Sequence, residues 1–384
     1  MSPPPRILID GSTAVRGGGF TYLVNVMPRL LEAAPDFQFK VLLRHPPLAA
    51  AMPKAPNLEV ELLPPAGWIG AFGFLYFQAV AHAERWGADL YYSVAEWAPL
   101  RAPFPMIASF RNPNAFTELD QGWPLHQRLR LGTMRRLAGF SARACSRIIF
   151  VSHDSAQWIG DQMGIAEARR AVVHHGIDLG RWGGEVRGSG TRPHERPYIL
   201  SVSSIYRYKN FVRLIDAWLE AARSESGFPD LVIVGDEHDS AHGREMRAHR
   251  DAAGEFGSRI HLLGEVPYEQ VRPWYAHAEA FAFPSYLETF GHPLVEAMAS
   301  GLPVLAADTA VFREIGGDAV DYADPYDTTA LRDALIRFTR DQTRARALGE
   351  AARARAADFG WEKTAQALRL VFDRVLAEAG GTET

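Results

Sequence analysis

The sequence predicts an α/β protein of two doubly wound, Rossmann-like domains. Three observations predict it. Short β-branched runs alternate with helical patterns through the first half, the signature of βαβ units around a parallel sheet. That rhythm stops at Gly180 to Pro197, a stretch rich in Gly, Pro and charge with no periodic apolar face, and then restarts. At 384 residues the chain is also too long for one ordinary core and long enough for two.

In the first half the expected strands are Arg6 to Asp10, Gln38 to Leu43, Leu58 to Leu62, Asp89 to Ser93, Met106 to Phe110, Arg147 to Ser152 and Ala171 to His174. Each is a short apolar, β-branched or aromatic run bounded by turn residues. Helices are expected between them from about Phe20, Phe72, Trp123 and Asp154. After the Gly/Pro-rich stretch come strand Tyr198 to Ser203, helix Asn210 to Arg223, strand Leu231 to Gly235 and helix Arg244 to Phe256. Strand Arg259 to Leu263, helix Tyr268 to His277, strand Ala280 to Pro284, helix Pro293 to Ser300 and strand Pro303 to Ala306 complete the second sheet. The domains are therefore expected at 1–180 and 198–357, with a linker at 181–197. A last helix, 361–377, carries Leu368, Val371, Phe372 and Val375 on one face and is expected to pack back on the first domain.

Composition narrows the functions. With 47% hydrophobic and 22% charged residues the chain is expected to be globular and soluble. A formal net charge of -4 gives no global field for nucleic acid or an anionic bilayer, so any anion site must be local. Cys145 is the only cysteine, which excludes an intramolecular disulfide, a thiolate metal cluster and a Cys-x-x-Cys redox pair. Met1 to Arg6 does not have the pattern of a signal peptide, and Ala66 to Ala81, broken by Gly67, Gly70 and Gly73, is too short to span a membrane. A cytoplasmic location is expected.

In an open parallel sheet, ligands bind beyond the carboxyl ends of the strands. Four segments stand there. Gly17-Gly18-Gly19 precedes the helix at Phe20; either its backbone approaches a phosphate at a helix N-terminus or it is a flexible connector. It does not match Gly-x-Gly-x-x-Gly, which disfavours a nicotinamide cofactor. Ser203-Ser204-Ile205-Tyr206-Arg207-Tyr208-Lys209-Asn210 sets two cations beside a helix start, either an anion clamp suited to a diphosphate or a solvated turn. Lys209 is one of four lysines, with Lys40, Lys54 and Lys363, in an arginine-rich chain.

The third segment, Glu288-Thr289-Phe290-Gly291-His292-Pro293-Leu294-Val295-Glu296, places two carboxylates around a helix N-terminus with proline in its first turn. Those carboxylates suit sugar or ribose hydroxyls, against a plain capping role for one of them. The fourth, Ser109-Phe110-Arg111-Asn112-Pro113-Asn114, ends a first-domain strand; Arg111 and Asn112 either contact a ligand or form a routine Asn-Pro turn. His153, His174 and His175 at other strand ends read first as packed or turn residues.

These residues resemble the retaining glycosyltransferases of family 4, the group 1 glycosyltransferases, which share the GT-B architecture of two Rossmann-like domains facing across a cleft. The most specific match is the Glu-x7-Glu motif, Glu288 to Glu296, within the run Phe283 to Val304. Supporting matches are Leu231 to Asp236, Leu262 to Gly264, Val151-Ser152, His175 to Asp178, the 17–19 glycines and Glu314. Together they cover nearly the whole chain.

The resemblance implies that Glu296 bonds the donor ribose, Glu288 a hydroxyl of the transferred sugar and Lys209 the diphosphate. It also implies donor contacts from Phe290, Gly291, His292, Leu294 and Val295, from Ser204 and Gly235, and from Gly18 and Gly19 of the other domain. Two positions depart from the family. Ser204 stands where it often has arginine, and the cationic role is assigned to Arg207; Arg111-Asn112 replaces a common His-Asp pair and is assigned to acceptor or sugar contact. A diphosphate leaving group stabilised by Lys209, Arg207 and helix N–H groups needs no metal, and no Asp-x-Asp stretch occurs. No cofactor and no metal are expected, and domain closure is expected to exclude water.

The expected reaction is retaining, metal-independent transfer of a hexose-type sugar from a GDP- or UDP-linked donor. The acceptor is expected to be a saccharide or a lipid-linked molecule in cell-surface polysaccharide biosynthesis. An apolar segment with Trp68, Ile69, Phe72, Phe74, Leu75, Tyr76 and Phe77 precedes an arginine-rich helix with Arg128, Arg130, Arg135, Arg136 and Arg143. This pair reads either as core plus a solvated basic face or as a peripheral contact with the inner membrane face. The rival readings are a nucleotide-sugar epimerase or phosphorylase on the same fold and a catalytically silent nucleotide-sugar-binding protein.

Overall fold

A computed structural model describes residues 3–14, 18–117, 125–183 and 191–381. The chain divides into two units, Met1–Gly176 with Trp361–Thr384, and Ile177–Gly360.

In the first unit seven strands form one sheet in the order β3-β2-β1-β4-β5-β6-β7. They are β1 (Arg6–Asp10), β2 (Gln38–Leu43), β3 (Leu58–Leu62), β4 (Leu90–Ser93), β5 (Met106–Phe110), β6 (Arg147–Phe150) and β7 (Arg170–Val172). Every pairing is parallel. Such a sheet is covered on both faces, which is why β1, β4 and β5 are nearly continuous apolar runs. One face packs Leu23, Met27 and Leu30 of helix Gly18–Ala33; the other packs Phe74, Leu75, Ala138 and Ala142. The last helix, Trp361–Gly380, belongs to this unit: Trp361, Leu368, Phe372 and Val375 are buried in the same cluster as Leu23 and Met27. Strand β6 stops before Ser152 because the Ser152 hydroxyl accepts the Ser155 N–H at 3.0 Å and caps helix His153–Gln162. Trp123, where a helix start was expected, lies outside the described residues, and the helix runs Leu125–Ala144.

The second unit has six parallel strands in the order β10-β9-β8-β11-β12-β13. They are β8 (Tyr198–Val202), β9 (Asp230–Val234), β10 (Ile260–Gly264), β11 (Ala280–Phe283), β12 (Val304–Ala307) and β13 (Asp321–Ala323). The unit begins at Ile177, ahead of the Gly/Pro-rich stretch. The reason is local: the Ile177 N–H donates to the Phe359 carbonyl at 2.7 Å, and Trp182 on helix Leu179–Gly183 is buried with its ring centroid 5.0 Å from that of Tyr275. Residues 184–190 lie outside the described residues.

In each sheet the strand order reverses once, between β1 and β4 and between β8 and β11. Crevices open beyond the carboxyl ends of such strand pairs, so the segments after these strands are where a site belongs.

Candidate active site

In the second unit the residues after β8 and β11 meet. Lys209 ends the 3-10 turn Arg207–Lys209, and its Nζ donates to Glu288 Oε1, each side chain being 10% exposed. The next residue fixes the position of Lys209. Asn210 takes a left-handed conformation, φ 63°, and its side-chain amide donates to the carbonyls of Pro284 at 3.2 Å and Pro325 at 2.6 Å. Asparagine tolerates this region better than other L residues, and here its amide ties the turn after β8 to the loop after β11. The Tyr206 and Tyr208 rings stack at 5.3 Å, and Lys209 Nζ lies 5.1 Å from the centroid of the Tyr208 ring. The ammonium is thus held between an acidic partner and the faces of two aromatic rings, Phe283 being the second at 5.5 Å.

Arg207 is placed differently. It is about half exposed and pairs with Glu245 at 3.3 Å, on helix Ser240–Asp251, while Lys209 pairs with Glu288. Ser204 and Gly235 are brought together: a Cβ on Gly235 would lie 1.8 Å from the Ser203 carbonyl oxygen and 3.4 Å from the Ser204 nitrogen. Only glycine permits this approach of the turn after β8 to the end of β9.

The helix His292–Ala299 starts from Gly291, whose φ of 89° is the left-handed region, followed by proline in the first turn. The Leu294 and Val295 N–H groups turn back to the Gly291 carbonyl at 3.0 and 3.4 Å, while both side chains are buried. Phe290 is buried, with its ring centroid 5.2 Å from that of His292 and 5.7 Å from that of Phe359.

Glu296, one turn into this helix, is 7% exposed. Its Oε1 accepts the Tyr268 hydroxyl at 3.1 Å and its Oε2 the Tyr275 hydroxyl at 3.2 Å. Burial pushes its carboxyl up to about 7, although both tyrosine hydrogen bonds and the Arg181 charge act the other way. Arg181 lies 4.3 Å from the centroid of the Tyr268 ring and donates to the Tyr268 carbonyl at 3.1 Å. Sequence reading did not assign Tyr268, Tyr275 and Arg181 to this site.

In the first unit, Glu96, 7% exposed, follows β4 and accepts the N–H groups of Arg111 at 3.1 Å and Asn112 at 2.9 Å through one oxygen. The Asn112 side chain accepts the Asn114 N–H at 3.0 Å, so it caps the turn Pro113–Ala115. The Arg111 guanidinium lies 4.2 Å from the centroid of the Tyr22 ring. Glu96 was not singled out from sequence; its signal was a carboxylate three residues past a strand end. Gly18 and Gly19 open helix Gly18–Ala33, and Gly17 lies outside the described residues. A Cβ on Gly18 meets nothing within 4 Å.

At the opposite, amino ends of the second sheet, His194 and His261 approach Asp230 Oδ2 at 3.0 and 3.5 Å. Arg196 and Arg259 hold Oδ1 at 3.1 and 2.9 Å. Burial raises the Asp230 carboxyl, but hydrogen bonds from His194 and Arg259 and the Arg196 charge outweigh it and keep the group below its ordinary value. Two guanidinium groups already neutralise this carboxylate, so the cluster is an ion-pair hub that disfavours a further cation.

Comparison with known proteins agrees with this organisation. Residues 16–181 match the model for Glycosyltransferase Family 4 and residues 184–355 that for Glycosyl transferases group 1. The chain belongs to this group 1, family 4 glycosyltransferase family. The O-antigen chain mannosyltransferase B of Escherichia coli is 36% identical over 103 residues, 27% of each chain. The D-inositol 3-phosphate glycosyltransferase of Nocardia farcinica is 32% identical over 250 residues, 61% of this chain and 54% of that protein. The chain thus spans about half or less of these relatives. Sucrose-phosphate synthase from Thermosynechococcus elongatus superposes with a TM-score of 0.73 at 18% identity, covering 97% of this chain and 100% of that one. Anabaena HepE, in complex with UDP and glucose, gives 0.71 at 19% identity, covering 96% and 100%. At such identities the likeness establishes the fold, GT-B.

Proposed function

We propose that this protein transfers a hexose-type sugar from a GDP- or UDP-linked donor to a saccharide or lipid-linked acceptor, with retention and without a metal, in cell-surface polysaccharide biosynthesis. The observation that carries the reading is the Lys209–Glu288 pair at the strand-order reversal between β8 and β11. A nucleoside diphosphate leaving group develops negative charge, and a pre-placed ammonium lowers that barrier without reorganising. Glu288, held by the same ammonium, is an acceptor for a hydroxyl of the sugar, and Glu296 for the ribose. Arg111, positioned by Glu96 through its main chain, serves the acceptor side. The relatives point the same way. The E. coli protein is named an O-antigen chain mannosyltransferase, and WaaG, a structural neighbour, is described as involved in lipopolysaccharide biosynthesis.

Contact with the inner membrane face is part of this proposal. Helix Leu125–Ala144 exposes Leu125, Leu129 and Phe140 alongside Arg128, Arg136 and Arg143, a face suited to anionic headgroups. Among the described residues no helix is long and apolar enough to cross a membrane.

The test is release of nucleoside diphosphate from a panel of nucleotide-sugars, with chelator present, by wild type, Glu288→Ala and Lys209→Ala. The expected result is release from one donor, lowered by roughly two orders of magnitude or more in both variants. Saturable binding without release under any acceptor makes the protein a silent binder; release that needs a divalent metal removes the metal-independent mechanism.

A further inference from the structure

The two tyrosines on Glu296 are not equivalent. Tyr275 is fully buried, with its ring against Phe281 and Trp182 at centroid distances of 5.4 and 5.0 Å. Tyr268 is 42% exposed at the start of helix Tyr268–His277, and its hydroxyl also accepts the Trp182 indole N–H at 3.3 Å. A buried carboxylate with no donor is costly, and the two phenols satisfy one oxygen each. A molecule arriving from solvent has access to the exposed donor's place and not to the buried one's.

We propose that Tyr268 is an internal stand-in for a ribose hydroxyl: it occupies Glu296 Oε1 in the free protein, an incoming ribonucleotide exchanges with it, and Tyr268 thereby sets ribonucleotide affinity. This rests on the donor reading of Glu296. The exchange replaces one hydroxyl-to-carboxylate hydrogen bond by another, so the contact gains little net free energy, and the free protein never presents an unpaired buried carboxylate. Arg181, above the ring and bonded to the Tyr268 carbonyl, holds the backbone while the phenol moves. Trp182 supplies the partner that keeps the hydroxyl in place when no ligand is present.

The direction of the effect distinguishes this role from a simple pocket wall. Tyr268→Phe removes the competing donor from the free state only, so binding of a ribose diol becomes tighter, by roughly three- to tenfold. A residue that merely shapes the pocket gives weaker binding on the same change. The experiment is calorimetric titration of the full chain and Tyr268→Phe with UDP and GDP, and with their 2′,3′-dideoxy counterparts, at pH 8.5, where Glu296 is ionised. The expected result is tighter binding of the ribonucleotide that wild type prefers and, for its dideoxy form, a change of less than about twofold. Weaker ribonucleotide binding in Tyr268→Phe, or an equal shift for both sugars, overturns the inference and leaves the donor reading standing. Failure of UDP and GDP to bind either protein overturns both.

Discussion

At the scale of single residues, the site turns on three charges with different environments. Lys209 and Glu288 neutralise each other, whereas Glu296 is buried among hydroxyls and its carboxyl rises from 4.5 to about 7. Below pH 4.5 the group is protonated in both folded and unfolded chains and contributes nothing to pH dependence. Between 4.5 and 7 the unfolded chain releases its proton while the folded one keeps it, so stability falls as pH rises, and above 7 the whole cost is present. That interval corresponds to about 3 kcal/mol at most. Glu296→Gln is therefore expected to raise the melting temperature at pH 8.5 by several degrees and to leave it nearly unchanged at pH 4, while weakening nucleotide binding. Equal melting curves at both pH values would remove the buried-carboxylate account. Lys209 and Glu288 were legible in the sequence because they lie in the segments that follow strands, and Glu296 because it shares one short motif with Glu288 and falls one turn into the helix that follows. Tyr268 and Tyr275 were not, since helical periodicity assigns them to a helix and says nothing of a carboxylate 28 and 21 residues away.

At the scale of elements, glycine fixes how closely the connecting segments approach. Gly235→Ala would drive a Cβ into the Ser203 carbonyl, a backbone atom that cannot step aside. The change is expected to destabilise the second unit by about 3 kcal/mol or more and to abolish nucleotide binding. Gly18→Ala meets open space and is expected to leave melting unchanged. If Gly18 approaches a phosphate, turnover falls in that variant without loss of stability; unaltered turnover returns the glycines to a connector role. The strands were legible because parallel sheets buried on both faces demand continuous apolar runs. Their ends were less so: Ser152, read as strand, leaves the sheet to cap a helix, and β13 was not recognised because three residues, DYA, carry too little pattern. The Asn112 turn shows the same limit: the sequence left ligand contact and a routine turn both open, and in the structure the Asn112 side-chain oxygen caps its own turn.

At the scale of the molecule, the second unit is continuous in sequence and the first is not. The last helix was legible as amphipathic, and its packing beside helix Gly18–Ala33 places Trp361, Leu368, Phe372 and Val375 in the first unit's core. Arg369 reinforces the contact through Asp36 at 2.6 Å and lies 4.2 Å from the centroid of the Phe37 ring. Removing residues 361–384 strips several large apolar side chains from that core, each worth about 2–5 kcal/mol when truncated. The shortened chain is expected to lose the first unit's cooperative melting and to aggregate, while residues 177–360 still give protected amides in hydrogen exchange. Retention of a native first-unit transition would show that the helix is an accessory.

The same arrangement orders events during synthesis. The ribosome releases every residue of the second unit before the closing helix of the first emerges, so the second sheet can be finished while the first still has an uncovered apolar face. A newborn chain therefore carries an aggregation-prone surface for the time taken to translate the second unit. At cellular elongation rates that is on the order of ten to forty seconds, an interval in which a chaperone has a defined patch to shield.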